Sequence, residues 1–158
     1  MKTIKILTAC VLLTGASSIA NADSVNVIVT ADVISVCQIT SKTDMNFGNL
    51  DPSDPVDKQA SAEVVYWCTK GVTSSVGDAS GNLHGQFYDG TNELMKDDVD
   101  PTKTLRYSFT HDAASVVADG PSTPITITIN GTVAGLDYAD ASIGNYFDVI
   151  TVDVNPAL

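Results

Sequence analysis

The sequence predicts an all-β protein built as an antiparallel sandwich, and three observations carry that prediction. Val, Ile and Thr recur in short alternating runs, the runs are separated every 8 to 15 residues by clusters of Gly, Asp, Asn or Pro, and no stretch sustains a helical period. Alternation places successive side chains on opposite faces of a strand, so each run offers one apolar row to a core. At 158 residues the chain suits one domain with a moderate core.

The elements follow in order. Lys2 and Lys5, an apolar stretch from Ile6 to Leu13 and the small residues Ala20-Asn21-Ala22 have the layout of an export signal over residues 1–22. Leu7-Thr8-Ala9-Cys10 superficially resembles a lipoprotein cleavage box, but Cys10 sits inside the apolar stretch, which argues against lipidation. No later run approaches the roughly 20 apolar residues of a membrane span, so the mature protein is expected to have no membrane segment. Next, Val25, Val27, Val29, Ala31 and Val33 occupy every second position and read as one face of a detachable strand, residues 23–33.

Strands are predicted near residues 25–39, 44–48, 61–68, 72–77, 104–110, 124–134 and 146–154. Loops fall at 51–57, 78–82, 89–102, 113–121 and 135–144, and the density of Pro and Asp in Asp51-Pro52-Ser53-Asp54-Pro55 excludes a helix there. Asn130-Gly131 between alternating runs is either a hairpin turn or a glycine bulge in one long strand, with propensity favouring the hairpin. The last run opens at Gly144-Asn145-Tyr146-Phe147-Asp148 and reaches Val154, with only Asn155-Pro156-Ala157-Leu158 after it. The sandwich is therefore expected to lack a closing strand and to borrow one from a neighbour's N-terminal segment.

Charge and cysteines bound the function. The chain carries 19 Asp and Glu against 8 Lys and Arg, two of the latter in the export signal, which makes nucleic acid and anionic membrane poor partners. Beyond that signal only Cys37 and Cys68 remain, an even count in an exported chain, so a single disulfide is the default reading, with buried free thiols as the alternative. Closing a loop of that length is worth about 3 kcal/mol in the chain-entropy model.

Few residues point to chemistry. His84 and His111 lie far apart, Asp97, Asp98 and Asp100 lack EF-hand spacing, and Ser74, Ser75 and Ser80 lack a nucleophile-elbow context. Trp67 reads as a packing or surface aromatic. No enzyme activity and no cofactor are expected.

An alternating strand ending in Cys37 is followed by Met45-Asn46-Phe47-Gly48-Asn49-Leu50, Val64-Val65-Tyr66-Trp67-Cys68-Thr69, Leu105-Arg106-Tyr107, Ile127-Thr128-Ile129-Asn130-Gly131 and the terminal Gly144–Val152 run. In that order these motifs resemble the spore coat protein U domain family, which includes the archaic, Csu-type pilins of chaperone-usher pathways. The resemblance covers nearly all of the mature chain. It implies an incomplete immunoglobulin-like β-sandwich, the pilin fold, over residues 34–158, completed by donor-strand exchange. Val25, Val27, Val29 and Ala31 would be the inward donor residues, and Ile150, Val152 and Val154 would face the acceptor groove. Gly131 would then lie within a strand, favouring the bulge. Tyr146, with Gly144 and Asp148 two residues to either side, resembles the corner tyrosine of immunoglobulin-like sandwiches and takes a structural role.

The implied partners are a periplasmic pilus chaperone, an outer-membrane usher and other pilin subunits, and the implied destination is a surface pilus serving adhesion and biofilm formation. The competing readings are a minor or tip subunit that binds a ligand, and a structural protein of a spore or envelope coat.

Overall fold

A computed structural model describes residues 23–112 and 115–157. The expected export signal lies outside the described residues. The chain divides into an N-terminal unit ending at Asp32 and a second unit beginning at Val33. In the first unit residues 23–32 carry no strand or helix, and Val25, Val27 and Val29 are exposed.

The second unit is an immunoglobulin-like all-β sandwich. Its strands are β1 (Cys37–Lys42), β2 (Lys58–Cys68), β3 (Thr73–Val76), β4 (Glu93–Asp97), β5 (Thr104–His111), β6 (Ser115–Val117), β7 (Ile125–Val133), β8 (Tyr146–Phe147) and β9 (Val154–Ala157), with one helical turn, α1 (Gly135–Tyr138). They form a six-stranded sheet in the order β1-β2-β7-β5-β4-β8 and a three-stranded sheet in the order β6-β3-β9. Every pairing is antiparallel.

Alternation sets which face is buried. In β2, Ala62, Val64, Tyr66 and Cys68 point inward, and across the ladder β7 contributes Ile127 and Ile129. With Val76, Leu83 and Ala118 these make one apolar cluster. A second cluster joins Met95, Leu105, Tyr107, Val133 and Tyr138. Because β7 supplies residues to both clusters, it is the spine of the fold. Among the described residues, buried side-chain polar atoms are paired, as their desolvation requires: the Tyr66 hydroxyl lies 2.8 Å from Ser74 Oγ, which donates to the Val116 carbonyl at 3.1 Å.

Cys37 and Cys68 sit opposite each other at the start of the β1–β2 ladder and form a disulfide. Asn130-Gly131 makes neither hairpin nor bulge, for β7 runs through it in unbroken register, Asn130 opposite Ser61 and Gly131 opposite Ala60. Propensity yields here to packing: a Cβ on Gly131 would collide with Met45 and Phe47, which lie against the strand.

Several expected elements differ. The first strand begins only at Cys37, and residues 44–48 belong to no ladder, with Gly48 at a positive φ of 70°. The expected loop 89–102 contains β4, whose Met95 is buried, and the loop 113–121 contains β6. Flanking Asp, Asn and Gly residues disguised both short strands. The expected loop 135–144 holds α1, which Tyr138 pins in place: its hydroxyl donates to the Val56 carbonyl at 2.7 Å and accepts from the Val56 amide at 2.9 Å. Gly135 N–H adds a bond to Asp57 Oδ1 at 2.9 Å, so the Pro-rich 51–57 loop is tied at two points.

Tyr138→Phe removes both bonds to Val56 without changing the apolar packing. Urea unfolding is expected to show a loss of about 1 to 3 kcal/mol. An unchanged midpoint would mean that this tie contributes nothing.

Candidate assembly groove

The last predicted strand, 146–154, is broken in a way that opens the molecule. Tyr146 and Phe147 pair with β4, Ile150 makes a single bridge to Gly85, and the chain joins the other sheet only at Val154. Thr151 and Val152 belong to no ladder. On the opposite side, the chain leaving β1 runs through Asp44–Leu50 with no strand partner, and Gly48 bonds only locally, to Asn46 Oδ1 at 2.8 Å.

Between these two stretches lies a groove of about 1260 Å³. Its floor is apolar, drawn from Val64, Ile129, Met95, Leu105 and Tyr107, and so it reaches both clusters. Met45, Phe47 and Leu50 stand on one wall, and Tyr146, Ile150 and Val152 on the other. All six wall residues are only half-buried. The alternation that should bury them is intact; among the described residues a covering layer is what they lack. Such a groove, with ladder-free backbone along both rims, offers the two things an added β-strand needs: hydrogen-bond partners at the edges and pockets for alternate side chains.

Carboxylates hold the walls. Asp97, at the end of β4, is 4 % exposed and accepts from the amides of Asp100 at 2.8 Å, Val99 at 3.3 Å and Asn145 at 2.9 Å. The Asp100 amide, with those of Asn145 and Val99, holds the Asp97 carboxyl below the usual carboxylate range, against the opposing pull of burial. Gly144 is fitted to this anchor, since a Cβ there would overlap the Asp97 carboxylate. Asp148 accepts from Tyr107 Oη at 2.7 Å and from the Phe87 amide at 3.3 Å. Burial, then the bond to Asp148, pushes the Tyr107 phenol upward, so it stays a donor. The Tyr146 hydroxyl donates to the Ser142 carbonyl at 2.8 Å, tying the preceding loop to the start of its strand.

Of the residues singled out from the sequence, Ile150 and Val152 line the groove. Val154 does not: it sits in β9 opposite Val76 and packs on the first cluster, because the run crosses from one sheet to the other before reaching it. Val25, Val27, Val29 and Ala31 are exposed. Sequence reading missed the Asp44–Leu50 wall, where alternation at Met45 and Phe47 suggested an ordinary strand, and the Asp97 anchor, which looked like one more loop acid. The neighbouring acids are turn formers. Asp51, Asp78, Asp89 and Asp100 each accept from amides two to four residues ahead, the Asx-turn pattern. His84 lies 2.9 Å from Glu93 and stacks on Tyr88. Among the described residues no helix is long and apolar enough to cross a membrane.

Fold and groove together define a β-sandwich with a strip of core that the described residues leave uncovered. The chain belongs to the spore coat protein U domain family, whose model matches residues 23–153. This is a family of surface pilus and coat subunits. No curated protein matches the chain.

Asp97 links the site to pH. Its folded-state pKa is depressed, so its contribution is present above the ordinary aspartate value of about 3.9 and is lost as pH falls through the folded value. Asp97→Asn is expected to be less stable than the parent at pH 7, with the deficit shrinking towards pH 3. Denaturant midpoints at the two pH values measure this, and a deficit that does not depend on pH would refute the assignment.

Proposed function

We propose that the protein is a structural subunit of a chaperone-usher surface pilus, and that its groove receives the N-terminal extension of another subunit. The observation supporting this reading is the apolar groove with ladder-free backbone on both rims. Val25, Val27, Val29 and Ala31 are the proposed inserting row. Three buried valines contribute about 5 to 9 kcal/mol before ordering costs, and the backbone ladder adds to this. A joint of that strength needs no covalent bond.

Reach argues for a second molecule as donor. A two-residue turn at Ala31-Asp32 sets Thr30 opposite Val33 and, counting back, Asp23 opposite Thr40. With cleavage after Ala22, the folded-back extension would end level with the first groove residues, near Ile39, and leave the wall at Met45–Leu50 uncovered. A neighbour's extension has no such limit.

An open groove is also a hazard, because unpaired rims above apolar floor invite aggregation. A subunit of this kind needs a cover between export and assembly, which is the part proposed for a periplasmic chaperone, with an outer-membrane usher exchanging that cover for the next subunit's extension. The surface fibre would serve adhesion and biofilm formation.

Val27→Asp combined with Val29→Asp places two carboxylates in the proposed inserting row. Electron microscopy after co-expression with chaperone and usher is expected to show filaments for the parent and none for the double variant, while the variant's domain still folds with its disulfide. Filaments of normal length from the double variant would show that this segment is not the donor.

A further inference from the structure

The root of the extension is clamped. The β1–β2 ladder does not stop at the disulfide, for the Thr69 amide donates to the Val36 carbonyl at 2.8 Å, one residue beyond the Cys37–Cys68 pair. The Thr69 side chain then takes over where the ladder ends. Its hydroxyl oxygen accepts from the Val36 amide at 3.1 Å, and its proton goes to the Ile34 carbonyl at 3.0 Å. One side chain thus satisfies two backbone groups spaced two residues apart, in place of the strand neighbour that β2 no longer provides.

The local sequence favours the same extended path. Val33-Ile34-Ser35-Val36 contains no Gly, Asn or Pro, and its β-branched residues resist the positive φ angles that a tight reversal needs. Among the described residues, only glycines have positive φ. Residues 34–36 are therefore held against the end of β2 by Thr69. The boundary between the two units falls after Asp32, just outside the clamp.

We propose that Thr69 is a positioning residue that stiffens the joint between successive subunits by holding residues 34–36 to the domain body. This rests on the reading that residues 23–33 enter a neighbour's groove. In such a fibre the segment between the groove of one subunit and the disulfide of the next is the only covalent connection, so its freedom sets the bending of the filament. Clamped at Ile34 and Val36, that connection shrinks to a residue or two.

Thr69→Val keeps shape and β-propensity but removes both hydroxyl bonds; Thr69→Ser restores the hydroxyl. In electron micrographs of assembled filaments, Thr69→Val is expected to lower the persistence length by about twofold or more, as a looser linker would, with Thr69→Ser matching the parent. Equal persistence lengths for parent and Thr69→Val would overturn the proposal. A second measurement needs no filament and no variant: in the mature parent protein the Val36 amide is expected to exchange with solvent at least about tenfold more slowly than the amides of residues 24–32. Exchange as fast as theirs would equally overturn it. If the parent forms no filaments at all, the polymerisation reading fails, and the Val36 exchange rate still decides whether the clamp exists.

Discussion

An apolar strip of core over which none of the described residues packs is the constraint on which the rest of this structure depends. Met45, Phe47, Ile150 and Val152 line the groove and stay half-buried. The shortfall has two parts. Apolar side chains lack a covering layer, and the backbone on both rims lacks ladder partners. A small molecule or a helix would answer the first need and leave the second. An extended peptide would answer both, which is why a strand is the proposed occupant.

The rest of the fold keeps that groove in shape. β7 runs through both apolar clusters and forms part of the floor, and Gly131 lets Met45 and Phe47 lie close against it. Asp97 gathers the amides at the root of one wall, and Asp148 holds Tyr107 where floor and wall meet. A wall fixed in advance would cost less to order if a strand were added there, as proposed. The acidity of the chain has a related local cause: its aspartates close turns around the sheets by accepting from backbone amides.

Much of this was legible in the sequence, and the failures have physical reasons. Alternation in Ser61–Cys68, Thr104–Thr110 and Ile125–Val133 marked the central strands, since a strand buried on one face must alternate. The pair Cys37 and Cys68 suggested the disulfide by count alone. Propensity favoured a hairpin at Asn130-Gly131 because turn propensity is local, whereas the close approach of Met45 and Phe47 to Gly131 is not; the resemblance rightly placed Gly131 within a strand, though the strand carries no bulge there. The run to Val154 looked like one strand because alternation records which side faces the core and is silent on which sheet supplies the ladder. Ile150 and Val152 could therefore be assigned to the groove, but Val154 crossed to β3. Tyr138 stayed hidden because its partner Val56 lies 82 residues away, and Asp97 because the bond to Asn145 that ties the wall, unlike its local bonds to Val99 and Asp100, spans 48 residues.

The most direct test of the account is amide hydrogen exchange along the two rims, compared between the assembled polymer and the free subunit. If a neighbour's strand fills the groove, amides within Asp44–Leu50 and at Thr151 and Val152, which have no ladder partner in the lone chain, become strongly protected on assembly, together with those of residues 25–31. Rims that exchange as fast in the polymer as in the free subunit would contradict the central claim, because the subunits would then be joined by some other surface.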